Sequence, residues 1–165
     1  MNDDLYQTPN AEIESKVEQQ GSILKGALFG SLTDIVASSV LGFVFGIVFV
    51  AFLMSQGLSE EELLDQLSQF DLTSPIGIFA TVLGLLVSFY AGYIGAKKSG
   101  GHILIVSGII CLSSNLFAFV MSDGQYTFTE NVILTLLTVA AILGGARLWS
   151  SKVFSEEAVT NQQVE

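Results

Sequence analysis

Residues 25 to 55, KGALFGSLTDIVASSVLGFVFGIVFVAFLMS, hold one acid, Asp34, and no basic residue after Lys25. A bilayer's hydrocarbon core is crossed by about 20 apolar residues at ~1.5 Å each, so this run predicts a membrane-spanning helix. Because it is longer than needed, its first turns lie at the interface or the helix tilts. Within it Gly26, Gly30, Asp34, Ser38, Gly42 and Gly46 recur every fourth position, a ladder of small residues of the kind that lets helix backbones approach closely in lipid. Four residues over-rotate a helix by ~40°, so about three successive steps face any one neighbour.

The rest of the chain extends this reading. With 50% hydrophobic and 13% charged residues and a mean hydropathy of +0.61, its 165 residues are too apolar for a small soluble domain. Four spans are expected, at about 28–55, 75–96, 102–121 and 130–149. They form a 22–150 membrane domain between a polar, acidic tail (1–21) and a polar, mobile tail (151–165). The acids near the start, and the absence of an apolar stretch before residue 21, predict that the first span is retained rather than cleaved as a signal.

Ser59 followed by Glu62 forms a capping-box pattern, and Leu63, Leu64, Leu67 and Phe70 share one face, so about 60–70 predicts a short amphipathic helix at the interface or folded over the bundle. Ser74-Pro75 opens the second span as cap and first-turn proline. That span has its own ladder, Gly84, Ser88, Gly92 and Ala96, placing spans one and two as the tightly packed pair. The short links at 98–101 and 122–130 make consecutive spans antiparallel. The expected fold is an all-α, integral membrane four-helix bundle in up-down-up-down order.

The six basic residues set the orientation. Lys16 and Lys25 precede span one, Lys97 and Lys98 follow span two, and Arg147 and Lys152 close span four; all fall inside if both termini are cytoplasmic. Trp149, Tyr90 and Tyr93 then mark the inner edge, and Tyr126, Phe128 and Phe70 the outer edge.

Six Lys and Arg against sixteen Asp and Glu exclude a nucleic-acid partner. The expected partners are the lipid bilayer and a second copy or another membrane protein. The single Cys111 excludes an internal disulfide and a cysteine-based zinc site. His102 lacks a second ligand at helical spacing, so neither metal nor other cofactor is expected. No P-loop, dinucleotide fingerprint, H-E-x-x-H or serine elbow occurs, and no enzymatic activity is expected.

Two polar residues stand at depth. Asp34 is either a protonatable site in an ion path or, the favoured reading, a carboxylate held near the inner interface by Ser31, Thr33 or a basic neighbour. Asn115, beside Ser113 and Ser114, is expected to bridge two helices by a hydrogen bond.

Tyr6-Gln7-Thr8-Pro9-Asn10-Ala11-Glu12 resembles the N-terminal Y-x-x-P-x-A motif of many small bacterial inner-membrane proteins of uncharacterised function. Gly92-Tyr93-Ile94-Gly95-Ala96-Lys97 is similar to a span ending common among such proteins. The resemblance implies a bacterial inner membrane and no activity. Four short spans with an acid in the first also resemble the small multidrug resistance transporters, which are shorter, carry a glutamate deeper in that span and lack so long an acidic outer loop. Two functions therefore stand: a non-enzymatic component associating through glycine-rich faces, or a small proton- or ion-coupled transporter or channel using Asp34.

Overall fold

The computed structural model describes residues 21–68, 72–121 and 126–162, with 67–68 and 153–162 in backbone alone. The Y-x-x-P-x-A motif at 6–12, the orientation of Leu67, and Phe70, Asp71 and Asp123 lie outside the described residues.

Five helices follow one another: α1 (Ile23–Ser55), α2 (Glu60–Ser68), α3 (Pro75–Lys98), α4 (Ile103–Met121) and α5 (Phe128–Gln162). Four of them, α1, α3, α4 and α5 as far as Lys152, are long and apolar enough to cross a membrane, which makes this a multi-pass membrane protein by length and composition. Their outward faces are Leu, Ile, Val and Phe, from Leu24 to Leu148. Such faces are stable only where lipid replaces water as the solvent.

Local chemistry starts the helices. Before α2, the Ser59 backbone N–H and hydroxyl donate to Glu62 Oε2, each at 2.9 Å, and the Glu62 N–H donates to Ser59 Oγ at 3.4 Å. Ser74 Oγ accepts the Gly77 N–H at 3.0 Å with Pro75 in the first turn of α3. Thr127 and Glu130 repeat the capping box at α5, with the Thr127 N–H and hydroxyl donating to Glu130 Oε2 at 2.7 and 2.8 Å. Between α3 and α4 the chain reverses through Gly100 and Gly101, whose φ of 60° and 96° favour glycine. α5 continues past the expected span end near 149 to Gln162. Residues 147–162 lose their apolar character but contain neither glycine nor proline, so nothing local stops the helix.

The helices meet most closely near the end that carries Lys25, Lys97, Lys98, Arg147 and Lys152. A Cβ on Gly26 of α1 would lie 2.8 Å from the Gly95 carbonyl oxygen of α3. A Cβ on Gly92 would strike the Ile142 backbone of α5, and one on Gly145 the Phe89 carbonyl. Gly30 gives its space to the Ile110 side chain of α4. Val106, Ile110 and Ile142 form the fully buried core at this level. α3 is the shared element, contacting α5 most extensively and then α1. The expected pairing of the first two spans is thus one of two close crossings.

Toward the acidic end the bundle opens. Gly26, Gly30 and Asp34 are buried, but Gly42 and Gly46 are exposed and, like Gly84, would meet nothing within 4 Å. Gly42 and Gly84 instead border a small space of about 90 Å³ between α1 and α3, and Gly46 the open surface of α1, so none of the three meets the other helix as closely as expected. The physical reason is the winding of a four-residue ladder, which carries its steps away from the close crossing off the face toward the neighbour. α1 and α3 stay in touch there through larger groups, with the Phe45 and Phe79 rings 6.1 Å apart.

Candidate functional site

Where the four long helices part, they enclose an open cavity of about 540 Å³, with residues of each in its walls and Leu72 and Tyr126 among its lining. Its polar group comes from three helices: Asp34, 4% exposed, on α1; Ser88, 6% exposed, on α3; and Ser114, 7% exposed, on α4. Asp34 is the third step of the α1 ladder, and Ser88 the second of the α3 ladder. The four-residue spacing that brings the glycines together brings these two side chains together as well. Ser88 Oγ donates to Asp34 Oδ1 at 2.7 Å.

This differs from the expected support of the acid. Ser31 is instead engaged with α4, its Oγ 2.7 Å from Ser113 Oγ. No basic side chain pairs with Asp34 among the described residues. Asn115 also departs from expectation: its Nδ2 donates to the Cys111 carbonyl of its own helix at 2.8 Å, so it bridges no two helices. Helical backbone carbonyls one turn back lie within reach of such a side chain, which removes the need for a partner across the bundle. Its side chain still lines the cavity. Ser114 Oγ is buried without a hydrogen-bond partner among the described residues.

The depth of this group follows from counting. Lys25 lies nine residues from Asp34, Lys97 nine from Ser88, His102 twelve from Ser114 and Arg147 nine from Thr138, another cavity residue. At ~1.5 Å per residue each helix places its charged or interfacial residue ~14–18 Å away along its axis. Those residues form one belt. Tyr93 and Trp149 meet edge to face at 5.6 Å, Lys97 Nζ lies 5.7 Å from the Trp149 ring, and Lys152 Nζ lies 5.8 Å from that of Tyr93. Lys98 Nζ lies 5.4 Å from the Phe29 ring.

At the opposite end are Glu60, Glu61, Glu62, Asp65 and Glu130. The Ser59 N–H and hydroxyl hold the Glu62 carboxyl below its ordinary value. α2 touches α1 alone among the described helices, so it does not fold over the bundle.

Chemically, the cavity floor offers a carboxyl able to take a proton or face a cation, with hydroxyl and amide groups beside it. Among the described residues its hydrogen-bonded hydroxyl and carboxylate are Ser88 and Asp34, while His102 and Cys111, nine residues apart and ~14 Å by helical rise, do not line it. No group of three metal-ligating side chains occurs among the described residues. The sequence pointed to Asp34 and Ser88 as ladder positions but gave no sign that Ser114 would join them, since hydroxyls on apolar helices are common and only packing selects one. Comparison with protein-family models, curated proteins and solved structures gives no match.

Proposed function

We propose that this chain is a non-enzymatic membrane protein of carrier type, binding a cationic solute or a proton at Asp34 in a cavity that opens to the outside. The reading is carried by one observation: Asp34, hydrogen-bonded to Ser88, sits buried beside a cavity shared by all four long helices. A hydrocarbon core is ~30 Å thick, so a carboxyl ~14 Å of helix from Lys25 lies near its middle. An acid there costs ~2.5–3.5 kcal/mol on the insertion scale. A hydrogen bond between helices contributes ~0.6–2 kcal/mol and needs no acid, as Ser31 and Ser113 illustrate. Packing therefore does not account for Asp34, whereas a proton or cation site does.

The orientation rests on the basic residues, which put the Lys and Arg belt and both termini in the cytoplasm, with four spans running up, down, up, down. A bacterial inner membrane is the setting implied by the resemblance at residues 6–12. The carrier assignment rests on the closure between the cavity and the basic end, where glycine crossings and the Val106, Ile110 and Ile142 core leave a dead end. A channel needs a continuous path, while a carrier opens its two ends in turn.

A second reading is association with another copy. Gly42 and Gly46 are open to α1's surface and share a shallow groove with Phe43, Ile47 and Met54.

Proton exchange at Asp34 is tested by infrared difference spectra of the protein in membranes as pH is stepped, with Asp34→Asn to assign the band. A carboxyl stretch that grows on acidification, fades on alkalinisation and is missing from the variant is expected. A protonated-carboxyl band that persists unchanged over the whole range in which the protein stays folded would make Asp34 a neutral, structural hydrogen-bonding group and leave association as the better reading.

A further inference from the structure

Beside the cavity runs a second space of about 380 Å³, between the acidic-end halves of α3 and α5. Leu72, Thr81, Leu85 and Leu134 line both spaces, so one layer of side chains divides them. Its outer wall includes Ile78, Val82, Ile133 and Leu137, each at least 41% exposed, on the face that meets lipid. The groove exists because Gly92 and Gly145 draw α3 and α5 together farther down while bulkier residues hold them apart here.

The two spaces differ in chemistry and agree in charge. The groove is apolar except for Thr73, Thr81 and Glu130, whereas the cavity ends at Asp34, Ser88, Ser114 and Asn115. Neither is lined by a Lys, Arg or His. A phospholipid would leave its phosphate unpaired in such a lining, at the expense attached to any buried unpaired charge. A fatty acid would set its carboxylate against Asp34. A single-chain amphiphile with a cationic head meets neither obstacle.

The hydrogen bonds of the site narrow the head further. Ser88 donates to Asp34, and Asn115 donates through Nδ2, which leaves the Asp34 carboxyl and the Asn115 carbonyl oxygen as acceptors, with the Ser114 hydroxyl free to accept or to donate. Ser114 Oγ is buried without a partner among the described residues, as is Ser107 Oγ outside both spaces, and buried hydroxyls in folded proteins are nearly always bonded; of the two, Ser114 alone lines the cavity. A primary ammonium carries three N–H donors on one atom; a quaternary ammonium carries none. From Ser88 to Ile78 is ten residues, ~15 Å along α3 and long enough for an alkyl chain to lie from floor to groove.

We propose that the ligand is a long-chain primary amine taken from the outer leaflet, its ammonium at Asp34 and Ser114 and its chain leaving between α3 and α5. This rests on the reading of Asp34 as a site for a cation or a proton. The size fits, since pockets for small ligands span roughly 300–1,000 Å³.

The test uses the full chain in nanodiscs and tritiated dodecylamine, with retention measured against empty nanodiscs. Saturable retention is expected, displaced by unlabelled dodecylamine and poorly by dodecanol or dodecyltrimethylammonium. Asp34→Asn keeps the shape and an acceptor for Ser88, and should weaken binding roughly ten- to a hundredfold, as loss of a charge-assisted hydrogen bond does. Ser114→Ala should weaken it several-fold, and Leu85→Trp, which fills the dividing wall, should hinder dodecylamine but not ethylamine. No retention above empty nanodiscs, equal displacement by dodecanol, or unchanged binding by Asp34→Asn would each overturn the proposal. A titrating Asp34 band without dodecylamine retention would leave the carrier reading intact and remove the ligand alone, whereas an Asp34 that stays protonated at every pH would remove the reading beneath it.

Discussion

At the scale of single residues, glycines inside the long helices fall into two physical classes. Gly92 and Gly145 face backbone atoms of the opposite helix. Backbone cannot turn aside as a side chain can, so Gly92→Ala or Gly145→Ala must push α3 and α5 apart, at roughly 1–3 kcal/mol or more. Gly42 and Gly46 face open space, and alanine there improves helix propensity by ~0.8–1 kcal/mol with nothing to strike. Unfolding of the purified protein in mixed micelles should show the first two variants destabilised and Gly42→Ala and Gly46→Ala as stable as the parent or more so. Equal losses at all four positions would mean that Gly42 and Gly46 are packed against a second copy. The sequence marked Gly92 by its place in a four-residue series, but not Gly145, because a single Gly-Gly pair late in an apolar run has no periodic signature. Asp34 was legible as an anomaly, while its partner was not: Ser31 and Thr33 are nearer in the chain, and only the α1 and α3 crossing selects Ser88.

At the scale of elements, start signals were the most legible feature because they are local. Ser59 with Glu62, and Ser74 with Pro75, need only four residues to fix a helix end, and each makes the expected bond. Stop signals misled at α5, because a turn to polar residues ends a membrane span without ending the helix that forms it. The α2 cap has a pH consequence. The folded Glu62 carboxyl lies below its ordinary 4.5 because Ser59 donates two hydrogen bonds to its charged form. A lowered carboxyl helps the folded state above the unfolded value and loses that help as pH falls through the folded one. The α2 cap should therefore hold from neutral pH to below 4.5 and fray in more acid solution. A carbon-detected titration of the Glu62 carboxyl checks this: its midpoint should lie below 4.5 and move up in Ser59→Ala. A midpoint unmoved by that substitution would detach the cap from the charge.

At the scale of the whole molecule, one gradient governs the architecture: tightly crossed and basic at one end, parted and acidic at the other. The four spans were readable from the apolar runs, since membrane crossing is a demand on length and composition. The cavity was not, because it arises from how far each ladder winds before its helix ends. Which compartment the cavity faces depends on the orientation alone. The natural position to probe in the α3–α4 turn, Ser99, is fully buried, so its failure to react would be uninformative. His102 in the same turn is exposed, as is Gln66 on α2. With Cys111→Ser as background, Gln66→Cys should react with an impermeant thiol reagent added to intact cells, and His102→Cys should react only after the membrane is opened. The reverse pattern would turn the molecule over and direct the cavity, with Asp34 beside it, toward the cytoplasm. The chemistry of the site would stand, but a ligand would then reach the α3 and α5 groove from the inner leaflet. The five basic residues at one end among the described residues make that outcome the less favourable one, because each would have to cross the bilayer or remain on its outer face.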